Sequence, residues 1–168
     1  MLTPQIKAAI DAAFSMLPAK MDSKEARVEL YAIGFQESDG FATRRQYGNG
    51  PAASFWQFEK GGGIKGVLSH PASKNYALQI CSHRGIAPTV QNVWNAMLYD
   101  DVLGAAFARL LLWTDPRSLP KVPELINPNA PEHSESWQYY ERNWQPGTPH
   151  PEKWAVNYTK ALNECSHL

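Results

Sequence analysis

Little in this chain of 168 residues supplies cross-links, net charge or a long apolar run. Two cysteines, Cys81 and Cys165, are too few for a disulfide framework, and neither sits in a CxxC pair. Reduced, buried thiols are the expectation, with a single disulfide left open. Lys and Arg total 16, as do Asp and Glu. No overall field therefore draws the chain to nucleic acid or an acidic membrane, although a balanced sum leaves room for a local basic patch. No apolar window approaches the roughly 18 residues that a bilayer span requires. The opening segment MLTPQIKAAIDAAFSMLPAK lacks the basic run and apolar stretch of a secretory signal. The expectation is a protein made in the cytoplasm which, if its substrate lies outside, something else delivers.

Chemical motifs are also sparse. The histidines (His70, His83, His133, His150 and His167) show no HExxH or other metal-ligand spacing. GGGIKG at 61–66 lacks the spacing of a phosphate loop and reads as a flexible hinge. There is no GxSxG elbow. Cys81 and His83, two apart on a helix, would not face each other, which argues against a cysteine nucleophile. Neither a metal nor a cofactor is expected.

What is present is helical periodicity. A hydrophobic content of 43% suits one globular domain spanning 1–168. Thr3-Pro4 opens a helix carrying Ile6, Ile10, Ala13, Phe14 and Leu17, and Pro18 ends it. Asp22 with Glu25 reads as a capping box, and Ala26, Leu30 and Ile33 form the stripe that follows. Further helices begin at Ser73, near Val90, and at Asp100 or Asp101. The last of these, VLGAAFARLLLW, is apolar nearly all round and therefore expected at the centre. Trp137, Tyr140 and Trp144 mark another helix. Trp154, Tyr158, Ala161, Leu162 and Cys165 mark the final one, and five prolines within 116–131 make a long connection before them. Residues 41–63 lose the helical period and gain glycine, threonine and aromatics around Asn49-Gly50. They predict a small β-hairpin region at about 41–60. The expected class is thus α+β, predominantly α-helical.

One carboxylate stands out. Glu37 falls four residues after Ile33 on the apolar face of its helix and near that helix's C-terminus. Desolvation and the negative end of the helix dipole both oppose its ionisation. Both favour an acid still protonated near neutral pH, as protonation of a glycosidic oxygen requires. The plainer alternative is a solvated glutamate ending an amphipathic helix.

AIGFQESDGF at 32–41 resembles the Glu-Ser motif of lytic transglycosylases and goose-type lysozymes, in which the glutamate is the catalytic acid. GPAASFWQFE at 50–59 is similar to that group's second motif. The resemblance assigns Ser54, Phe55, Trp56 and Gln57 to the cleft, with Ser54 where glycine is usual. WQYYERNWQPG resembles more weakly the later tyrosine motif, lacking its Tyr-Asn pair and offering Tyr139, Tyr140 and Asn143. The whole also resembles phage-encoded proteins of similar length. The resemblance implies a lysozyme-like fold and a monomer acting on the peptidoglycan glycan strand, without nucleic acid or membrane span. It would serve as an endolysin or virion component at the cell wall. It implies cleavage of the β-1,4 bond between N-acetylmuramic acid and N-acetylglucosamine. A transglycosylase needs Glu37 alone, helped by the substrate's acetamido group, and forms a 1,6-anhydro product. A hydrolase often adds a second carboxylate. Glu59 is the candidate, since Asp39 lies too close in sequence to share Glu37's direction. Ser38 and Gln57 are candidate hydrogen-bonding groups. Tyr47, Phe55, Trp56, Tyr139 and Tyr140 are candidate sugar platforms, and Arg44 and Arg45 candidate partners for peptide-stem carboxylates. Trp137, Trp144 and Trp154 read as core. A chitinase-like glycosidase and a non-catalytic glycan-binding or virion structural module remain open alternatives.

Overall fold

The computed structural model describes residues 2–168. Eight α-helices account for about half of it: α1 (Pro4–Ser15), α2 (Lys24–Glu37), α3 (Lys65–Ser69), α4 (Lys74–His83), α5 (Val90–Met97), α6 (Asp101–Trp113), α7 (Glu135–Trp144) and α8 (Trp154–Glu164). Their starts follow local chemistry. Thr3, Ser23, Thr89, Asp100 and Ser134 each accept a backbone N–H of the first turn, satisfying donors that have no partner inside the helix. At α2 the cap is Ser23 rather than Asp22, whose carboxylate instead takes the Arg27 guanidinium at 2.7 Å.

Helices α2 and α6 form the centre. From Val28 to Phe35 every residue of α2 is buried, and so is most of α6. A helix buried on all sides must be covered on all sides. Helix α2 packs most extensively on α8, and α1 on α6. The proline-rich connection has no regular structure. It is tied down where Glu124 accepts the N–H groups of Glu135 and Ser136 at the start of α7, at 2.6 and 3.0 Å. Cys81 and Cys165 are both free and buried.

The expected α+β class, with its lysozyme-like hairpin at 41–60, is overturned. The structure is all-helical, 60% helix and 2% strand, with no sheet among the described residues. Only the isolated bridges Arg45–Ala53 and Ala53–Phe58 occur in this region. The reason lies in the side chains. A strand sends successive side chains to opposite faces, whereas Ala52, Ala53, Ser54, Phe55 and Trp56 are buried in succession. Ala53 and Phe58 exchange both backbone hydrogen bonds, at 2.9 and 2.7 Å, around a four-residue loop. Ser54 and Gln57 take left-handed φ of 72° and 52° in that loop. In the segment read as a hinge at 61–66, Lys60–Ile64 forms a wide turn leading directly into α3. Among the described residues, no helix is long and apolar enough to cross a membrane.

Candidate active site

The last turn of α2 is held by its own return. After Glu37 the chain reverses through three consecutive left-handed residues, Asp39, Gly40 and Phe41 (φ 52°, 80° and 63°). The reversal lays the Phe41 ring on Gly34, where an added Cβ would sit 2.1 Å from Cζ. Phe41 also meets Phe35 and Phe55, with ring centroids 5.1 and 5.2 Å apart. Trp56 continues the clamp. Its indole N–H donates to the Leu30 carbonyl of α2 at 2.9 Å, and its own carbonyl accepts from the Trp144 indole of α7 at 2.8 Å. The loop thereby fixes α2 relative to α7.

Helix α7 brings Tyr140 to the acid. Its ring stacks on Trp154 at 5.1 Å and 9°, and its hydroxyl donates to Glu37 Oε1. Both residues line an open cleft of about 660 Å³, together with Gln57, Glu59, Asn143 and Trp144. The Glu37 carboxyl is pushed up to about 7. Desolvation by burial is the largest cause, and the negative charge of Glu59 adds to it. The Tyr140 hydrogen bond acts in the opposite direction by stabilising the carboxylate. Burial and the Glu37 charge raise the Tyr140 phenol well above its ordinary value, so Tyr140 remains a neutral donor.

Of the residues expected at the site, Glu37, Glu59, Gln57, Tyr140 and exposed Tyr47 line the cleft. The Gln57 amide donates to the Ser54 carbonyl at 2.8 Å, which fixes its orientation. The others, Asn143 apart, do not line the cleft. Ser38 is buried and its hydroxyl donates to the Gly34 carbonyl at 2.7 Å. Ser54 is buried, its oxygen accepting from the Trp56 N–H at 3.1 Å. Phe55 and Trp56 belong to the core. Tyr139, one residue from Tyr140, points away and donates to the Leu112 and Arg117 carbonyls at 3.1 and 3.2 Å. Asp39 is exposed outside the cleft. Arg44 is held by Asp101 at 2.7 Å, and Arg45 lies over the Trp94 ring at 4.8 Å.

Other cleft residues were not anticipated. Trp144, read as core, forms part of the wall, and Gln36 lies beside Glu37. Gln36 donates to the His150 carbonyl at 3.0 Å and accepts from Asn157 at 2.8 Å, tying the 146–150 segment and α8 to the cleft rim. Only its adjacency to Glu37 could have suggested it. Asn143, by contrast, was offered by the tyrosine motif, and it lines the cleft, oriented by Asp115 at 2.8 Å. Among the described residues, no group of three or more His, Cys, Asp or Glu is placed to hold a metal ion. A protonatable carboxylic acid thus stands in an open groove beside a phenol donor and a second carboxylate, an arrangement able to give a proton to a bound oxygen and take it back. The chain matches no protein-family model, no curated protein and no solved structure.

Proposed function

We propose that the protein is a peptidoglycan-degrading enzyme that cleaves the β-1,4 bond between N-acetylmuramic acid and N-acetylglucosamine, with Glu37 as its acid and base. The observation that carries the reading is a half-buried Glu37 in an open cleft, its carboxyl pushed up to about 7. A general acid works best with a pKa near the operating pH. Oε1 accepts the Tyr140 hydroxyl, so Oε2 carries the proton to the leaving oxygen. As positive charge develops at the sugar, the substrate's acetamido oxygen closes on the anomeric carbon. Glu37, now ionised and stabilised by Tyr140, then takes the proton of the sugar's 6-hydroxyl as that oxygen attacks the anomeric carbon and displaces the acetamido oxygen, giving the 1,6-anhydro product and restoring the acetamide. The resemblance of AIGFQESDGF to the Glu-Ser motif of lytic transglycosylases supports this route.

Glu59 favours a second reading, hydrolysis with two carboxylates. It lines the same cleft, and its charge acts on Glu37. Mass spectrometry of fragments released from purified peptidoglycan distinguishes the two. Anhydro ends from the wild type and none from Glu37→Gln support transglycosylation, and reducing ends support hydrolysis. Substantial turnover by folded Glu37→Gln refutes the role of Glu37. Absence of fragments from both folded proteins would refute the enzyme and leave a glycan-binding module.

A further inference from the structure

A second cavity lies on the other side of α7, on the face from which Tyr139 rather than Tyr140 projects. It holds about 580 Å³ and is lined by α6, the first turn of α2 and the start of the proline-rich connection. Its floor contains Arg109, only 3% exposed. The Arg109 Nε donates to the Met21 carbonyl at 2.7 Å. Among the described residues no carboxylate lies within 4 Å of its guanidinium. A buried cation without a counter-ion is costly. Burial accordingly pushes the Arg109 guanidinium down to about 10.

The walls do not supply the missing charge. Asp115 is already engaged by Arg142 at 2.7 Å, Asn143 at 2.8 Å and the Arg117 N–H at 2.9 Å. Glu25 is half-buried and pairs with no cation within 4 Å. Against it stand Lys20, Arg117 and Lys121, three exposed cations around the same cavity that form no ion pair among the described residues. Lys20 and Arg109 both lie over the Trp113 ring, 5.5 and 5.4 Å from its centroid. Ser23 and Glu25 also line the cavity, so the positive end of the α2 dipole faces it.

We propose that this cavity binds a small phosphate-bearing ligand, with Arg109 as its buried anchor and Arg117, Lys121 and Lys20 closing around it. A guanidinium fork matches two phosphate oxygens, and several converging cations suit a dianion better than a single carboxylate. The volume falls in the range of small-molecule sites, roughly 300–1,000 Å³. This site is independent of the Glu37 cleft and of the activity proposed there.

Isothermal calorimetry at constant ionic strength, with inorganic phosphate and glucose 6-phosphate as probes and chloride as control, tests the proposal. Saturable binding of inorganic phosphate is expected, weakened about tenfold or more by Arg117→Ala/Lys121→Ala and by Arg109→Gln, and tightened by Glu25→Gln. Equal affinity for both probes means that the phosphate alone is recognised, and tighter sugar phosphate binding that the organic part also enters. No saturable binding of either probe up to about 10 mM overturns the proposal. Binding unchanged in Arg117→Ala/Lys121→Ala overturns it as well, whether or not Arg109→Gln folds.

Discussion

Glu37→Gln should make the protein more stable, and only at higher pH. The folded carboxyl holds its proton up to about 7, against an ordinary value of 4.5. The folded chain therefore binds that proton more tightly than the unfolded chain does. This preference is fully present below about pH 4.5 and is lost as pH rises through about 7. The step between the two values, at about 1.4 kcal/mol per pH unit, amounts to about 3 kcal/mol. Glutamine is neutral throughout and its amide oxygen can still accept the Tyr140 hydroxyl. Urea unfolding of both proteins should show a difference near zero at pH 4, rising toward about 3 kcal/mol in favour of the variant at pH 8.5. Glu29 titrates in both proteins and cancels from the difference. A difference independent of pH, or a variant less stable at pH 8.5, would refute the claim that desolvation controls Glu37, whatever the substrate proves to be.

Two cleft substitutions should move the pH profile in opposite directions. Tyr140→Phe removes the donor that stabilises the carboxylate, so the alkaline limb of kcat/KM shifts to higher pH. Glu59→Gln removes a repelling charge and shifts it lower; no movement in either variant would separate these residues from the acid. Glu29 is fully buried with Oε1 unpartnered, and burial raises its carboxyl well above the ordinary value. Glu29→Leu should stabilise the fold by about 1–3 kcal/mol near neutral pH, more as pH rises, and a loss in urea unfolding would contradict this. Gly34→Ala should cost about 1–3 kcal/mol and reduce turnover by displacing Phe41 and the end of α2. Adding Phe41→Ala should recover part of that stability, and its failure to do so would rule out the clash as the cause.

The helices were legible because their signals are local. A capping oxygen three residues before an apolar stripe marks a start, and the Ser23-for-Asp22 exchange reflects two adjacent residues able to cap, of which Arg27 draws one away. Glu37 was legible for the same reason, as the next position on the α2 stripe. The region 41–60 was not, because tertiary contacts decide it. Phe55 and Trp56 look like exposed sugar platforms beside a glycine-rich turn, yet their burial holds α2, the loop and α7 together. Tyr139 and Tyr140 were indistinguishable in the motif, although neighbours on a helix point about 100° apart and only one can reach the cleft. Helix α3 escaped notice because five residues are too few for a visible period. Its formation follows from burial of Ile64 and Val67.

The distribution of tryptophans gives the molecule built-in optical reporters. Trp56, Trp137 and Trp154 are fully buried, and their emission should remain shielded from a soluble quencher such as acrylamide. Trp144 and Trp113 are half-buried, the first in the wall of the Glu37 cleft and the second beside Arg109. Each proposed site thus has its own partly accessible indole, against a background of core indoles that neither ligand would touch. Single Trp→Phe changes at 113 or 144 would isolate the remaining reporter, and the quenching protected by a glycan fragment or by phosphate would identify which cavity has filled.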